Sequence, residues 1–126
     1  MKRGWVALIM ILLSLILGGI EYIYVTSNAD AYVKMLDDAD EKIMQNQVYE
    51  AQSVAERLDH RFQKQKGMLN VFMYHTEIGH ISSDLAMLRR YAQTGYVEDF
   101  LATSACAKRE ILAIKESKRM SFGNIF

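Results

Sequence analysis

The chain has 126 residues, with 15 Lys and Arg against 15 Asp and Glu, so its formal net charge of zero supplies no field that would steer it toward nucleic acid. It contains no proline, where average usage would supply about six, and such a chain is built for long helices and short connections. Its single cysteine excludes an internal disulfide framework and a Cys-x-x-Cys zinc site.

The run Gly4–Ile20 carries no charge and only Ser14 as a polar side chain, and Tyr22 to Val25 prolong it past a single Glu21. At 1.5 Å per residue these roughly 22 residues reach about 33 Å, enough to cross a hydrocarbon core of about 30 Å. Trp5 stands at one end and Tyr22 and Tyr24 at the other, the two levels amphipathic rings prefer. Lys2 and Arg3 precede the run; Glu21, Asp30, Asp37 and Asp38 follow it with Lys34 alone between. That asymmetry places the N-terminus in the cytoplasm and the remainder outside the cell membrane. The expected division is therefore 1–25 as cytoplasmic N-terminus and signal anchor, and 26–126 as an extracytoplasmic module. A cleaved signal peptide is the rival reading, with Ser27-Asn28-Ala29 or Ala29-Asp30-Ala31 as cleavage sites. The apolar run exceeds the roughly 7–15 residues of such a peptide, which favours the anchor. Ser14 and Gly18 share a face, but glycine is common in spans and that pair needs no packing partner to explain it.

Beyond the span the pattern is helical throughout, with no strand alternation. Asn28 or Ser27 offers an N-cap for a helix starting near Ala29, although the span could equally continue into it. Its apolar stripe is Ala29, Tyr32, Val33, Leu36, Ala39 and Ile43, and a break is expected at Gln45-Asn46-Gln47. A second helix, about 48–74, carries Ala51, Ala55, Leu58, Phe62, Leu69 and Phe72, with Gln65 the one polar member of the stripe. A third presents Ile78, Ile81, Leu85, Leu88 and Ala92 and ends at Thr94-Gly95. The fourth, about 96–118, turns Val97, Phe100, Leu101, Ala105, Ile111 and Leu112 inward. The fold class is all-α: one N-terminal transmembrane helix followed by an antiparallel bundle of about four helices in two stacked hairpins. Gln45–Ala51 and Gln93–Asp99 echo one another at helix connections, in the manner of a tetratricopeptide turn, but two units fall short of a solenoid.

Acids concentrate between Thr26 and Glu56, while bases prevail from Arg57 to Thr76 and again after Cys106. Acidic and basic helices lying side by side would fix their own pairing; the alternative is a basic surface that meets anionic lipid or a wall polymer.

Side chains with chemistry are few. Glu77, His80 and Asp84 fall at i, i+3 and i+7 on one helical face, and Glu-x-x-His is the local unit of di-iron bundles. No second unit exists, since Glu56 and His60 are four apart, and Thr76 spoils a His-Glu-x-x-His zinc arrangement at His75. The expectation is no metal and no cofactor, with Glu77, His80 and Asp84 the candidates if one binds. Cys106 sits in an alanine-rich stretch without a neighbouring histidine, which reads as a small buried residue at a tight helix contact. The methionines read as core filling. No phosphate-binding loop, nucleophile elbow or aromatic-basic stripe supports catalysis or nucleic-acid binding, so no enzyme activity is expected.

The Lys-Arg-x-Trp start, Glu21-Tyr22 after the apolar run, Phe72-x-x-His75-x-Glu77-Ile78, Leu88-x-x-Tyr91 and the terminal Asn124-Ile125-Phe126 occur in an order that resembles one family over nearly the full length. This is the domain-of-unknown-function family 4363, short membrane-anchored proteins of Gram-positive, largely clostridial bacteria. The resemblance implies an architecture and a compartment but no reaction. It singles out His75, Glu77, Tyr91 and the tail Asn124, Ile125 and Phe126 as interaction candidates, the tail either folding back as an apolar plug or being read by a partner. The expected role is a non-catalytic accessory or adaptor subunit, held in the bilayer by residues 4–25. Its partner would be another membrane or envelope protein, or further copies of the chain. The alternative is an extracytoplasmic bundle that senses a metal or small ligand through Glu77, His80 and Asp84.

Overall fold

The computed structural model describes residues 2–125 and contains four helices: α1 (Lys2–Met44), α2 (Val48–Phe72), α3 (His75–Thr94) and α4 (Val97–Ile125). Among the described residues there is no strand. Each helix packs on the next, and α4 closes the ring on α1, giving an up-down-up-down bundle.

Span and first bundle helix are one element. At 43 residues, α1 is about 64 Å long. Neither Ser27 nor Asn28 starts a new helix. Asn28 Nδ2 bonds back to the Tyr24 carbonyl at 2.7 Å and Thr26 Oγ1 to the Tyr22 carbonyl at 2.7 Å, so the polar residues after the span reinforce the rod instead of capping a fresh one. None of the apolar window of α1 is buried within the molecule, whereas Val25, Ala29, Tyr32, Leu36, Ala39 and Ile43 of the same helix are core. By length and composition α1 is able to cross a bilayer.

The connections are as short as the composition demands. α1 is closed by a turn at Asn46, which adopts φ 61°, and the Gln47 amide donates to the Lys42 carbonyl at 2.9 Å. α3 ends at Gly95 with φ 76°, where the Gly95 and Tyr96 amides both bond the Tyr91 carbonyl. Between them Met73 and Tyr74 turn α2 into α3 in extended conformation.

The stripes of α2 and α3 pack as the spacing predicts, with Val54 added to the first. Gln65, the polar member of the α2 stripe, is half-buried, and its amide bonds Asn28 Oδ1 at 2.9 Å while its carbonyl oxygen accepts from the Tyr32 hydroxyl. The α4 stripe is displaced from the expectation. Phe100, Ser104, Ala107, Ile111 and Ile114 face inward, while Ala105 and Leu112 are exposed. In an alanine-rich segment the apolar count does not distinguish one face from the next, and Ser104 is fully buried there. α4 also runs on past Lys118 to Ile125, so Ser121–Asn124 extend the rod and do not fold back over the bundle.

Candidate functional site

Acidic α1 and the basic half of α4 lie side by side and are pinned by a ladder of ion pairs. Lys108 Nζ bridges Asp37 and Asp40 at 2.8 Å each, Lys115 meets Asp30 at 2.6 Å, and Lys118 meets Glu21 at 2.5 Å and the Phe72 carbonyl at 2.7 Å. The two hydrogen bonds to Asp37 and Asp40 raise the Lys108 pKa above its ordinary value. On the opposite flank Arg61 reaches Asn28 Oδ1 at 3.2 Å and lies 5.2 Å over the Tyr32 ring. Burial pushes the Tyr32 hydroxyl up to about 12, with Arg61 pulling the other way. The acids of α1 therefore pair with the bases of α4, whereas no ion pair joins the basic stretch of α2 to α1 among the described residues.

The clustered chemistry lies where α3 meets α4. Asp84 from α3 meets Cys106 and Glu110 from α4, one ligand-type atom from each lying within 4.8 Å of the others. Cys106 and Glu110 are one helical turn apart, and the thiol points to Glu110 Oε1 at 3.8 Å. Asp84 Oδ2 and Glu110 Oε2 are buried atoms with no hydrogen-bond partner. Burial first, and the adjoining Asp84 carboxylate second, hold the Glu110 carboxyl above its ordinary range, with His80 partly offsetting them. The Asp84 charge likewise raises the Cys106 thiol, ahead of desolvation and Glu110. An open groove of about 390 Å³ adjoins this cluster, lined by Thr76, Glu77, His80, Glu110, Ala113 and Ile114.

Of the residues singled out by spacing, His80 and Glu77 line the groove, about one and two turns from Asp84 on the same helix. Cys106 is exposed, contrary to its reading as a buried contact residue, because the inward face of α4 passes through Ser104 and Ala107 instead. Glu110 was not singled out by sequence; its four-residue spacing from Cys106 was the available signal. His75 opens α3, exposed, with Nδ1 at 3.0 Å from Asn70 Oδ1, so it ties the α2–α3 turn to α2. Tyr91 lies at the other end of α3, half-buried, its ring 6.4 Å from that of Tyr96. His75, Glu77 and Tyr91 thus do not share one surface. Asn124 is exposed; the Ile125 side chain and Phe126 lie outside the described residues.

Comparison with known proteins gives one family: a model described as a domain of unknown function, DUF4363, matches residues 20–125. No curated protein and no solved structure gives a significant match.

Proposed function

The chain belongs to DUF4363, and because that family's description names no activity, we propose a role from the geometry: a single-pass membrane protein that acts as a non-catalytic accessory subunit for another membrane or envelope protein. The observation that carries this reading is the unbroken α1, which enters the bundle as one of its four core helices. A separate anchor would leave the module on a tether, whereas this arrangement holds the bundle at a fixed height and orientation over the bilayer. Such rigidity suits a subunit that packs a helix face or a bundle end against a neighbour. Lys2 and Arg3 before the span orient the bundle outside the cytoplasm. At its far end Met44, Tyr49 and Tyr96 stand exposed around two helix connections, the apolar and aromatic side chains that partner surfaces favour. The test is the mass and composition of the full-length protein extracted from native membranes in mild detergent. A second membrane or envelope protein at fixed stoichiometry supports the reading; a clean monomer or homodimer contradicts it.

A second reading, a metal-sensing bundle, is favoured by one observation: the convergence of Asp84, Cys106 and Glu110, with two orphaned carboxylate oxygens among them. A thiol and two carboxylates form a donor set for a borderline divalent cation such as zinc. Cobalt(II) reports on it directly. A thiolate-to-cobalt absorption band that Cys106→Ser abolishes supports the reading, and an unchanged spectrum removes it.

A further inference from the structure

We propose that the bundle is seated on the membrane that anchors it, with the α2–α3 turn embedded in the headgroup layer of the leaflet from which α1 emerges. This rests on the reading that α1 crosses the bilayer. The height of the turn is set by contacts among α1, α2 and α4. Lys118 Nζ donates both to Glu21 Oε1, at the end of the uncharged run, and to the Phe72 carbonyl, the last residue of α2. The Tyr24 ring lies 5.7 Å from Phe72, and Tyr22 stacks on Phe122 at 4.6 Å. The end of α2 therefore stands level with Glu21 to Tyr24, where the apolar span meets the headgroups.

The large side chains the turn exposes at that level are apolar or aromatic, beside the polar Asn70, His75 and Thr76. Val71 is 72% exposed and Tyr74 78%, and Met68, one turn back along α2, is 53% exposed. Isolated surface hydrophobics need no explanation, but these lie within about 6 Å of the hydrocarbon boundary, inside a headgroup layer about 5–8 Å thick. A tyrosine at the tip with a wet hydroxyl and an apolar ring suits that layer. The neighbouring cations of α4 are paired, Lys115 with Asp30, Lys118 with Glu21 and Arg119 with Glu116, while Lys64 and Lys66, one to two turns back along α2, make no ion pair among the described residues. The surface offered is thus an apolar tip with lysines behind it, and its occupant is the phospholipid interface.

The test uses the full-length protein in phosphatidylcholine vesicles, in a Cys106→Ser background, carrying a single environment-sensitive fluorophore on Val71→Cys, Tyr74→Cys, Tyr49→Cys or Leu12→Cys. All four positions are exposed, so labelling does not disturb the core. The expected result is blue-shifted emission at 71 and 74, quenched by lipid spin-labelled near the headgroup. The label at 49, at the far end, should keep aqueous emission, and the label at 12 should be quenched by deeply spin-labelled lipid. If 71 and 74 behave as 49 does while 12 is deep, the bundle stands off the membrane and the proposal is overturned. If 12 is also aqueous, the membrane-span reading falls, and the seating falls with it.

Discussion

Replacing Lys108 by Ala removes the central rung between α1 and α4. Among the described residues Lys108 is the sole hydrogen-bond partner of Asp40 Oδ2, and Asp40 Oδ1 is buried with none. The substitution leaves that carboxylate, only 13% exposed, without a counter-charge. Stranding a fully buried charge costs about 3–5 kcal/mol; with both side chains retaining some solvent, about 2 kcal/mol is expected here. Loss of the pair with Asp37, whose side chain is 61% exposed, adds at most about 0.5 kcal/mol. For a bundle of this size the sum lowers Tm by about 8–10 °C, read by circular dichroism of the full-length protein in detergent. Adding Asp40→Asn to Lys108→Ala should recover about half of that loss, because the stranded group is then neutral. The pH dependence has a definite sign. The folded pKa of Lys108 is raised, so its contribution is complete below the ordinary lysine value of 10.5 and is lost as pH rises through the raised value. The gap between wild type and Lys108→Ala should therefore close only in strong alkali. A Lys108→Ala protein within about 0.5 kcal/mol of wild type, or a double variant no better than the single, would refute the reasoning.

Tyr32 gives a second alkaline signature. With its hydroxyl at about 12 against an ordinary 10.0, the folded state holds a proton the unfolded state has lost, so stability should fall from about pH 10 upward. Tyr32→Phe should flatten that fall, and ultraviolet titration should show one tyrosine ionising after the others; a single common transition would argue against it. Cys106, although exposed, should react slowly with iodoacetamide at pH 8, and Asp84→Asn should speed it by removing the charge that most raises the thiol. Equal rates in the two proteins would mean the cluster does not form. Gly95→Ala places a β-carbon at φ 76° and should cost about 1 kcal/mol in thermal unfolding, with no steric contact to add to it.

The helical architecture was legible in the sequence wherever large apolar residues recur at three-and-four spacing. Leu58, Phe62 and Leu69 of α2, and Ile78, Ile81, Leu85 and Leu88 of α3, leave one choice of buried face, and all are buried. Gln65 was legible as an anomaly, and its partners Tyr32 and Asn28 needed the packing of α1 on α2 to appear. α4 was misread around residues 104–112, because the run Ala102–Ala107 holds only small side chains and offers no large apolar residue to mark the inward face. The same shift carried Cys106 from an expected interior place to the surface. Continuity of α1 was left open by sequence, since Asn28 or Ser27 could cap a new helix; in the fold Asn28 is instead taken up by the Tyr24 carbonyl and by Arg61 and Gln65 of α2. The site was half legible: Asp84 stood out on its helix, whereas Glu110 joins it only through the register of α3 on α4.

The central claim is that membrane span and bundle form one rigid rod, and a distance along α1 tests it most directly. Spin labels on Leu8→Cys and Met44→Cys, both exposed positions, in a Cys106→Ser background are separated by 36 residues of α1. In a lipid nanodisc, pulsed electron spin resonance should then give a single narrow distribution near about 54 Å, the length of an unbroken helix. A broad distribution or a clearly shorter mean would show a hinge between anchor and bundle, and the fixed presentation on which the proposed role depends would be contradicted.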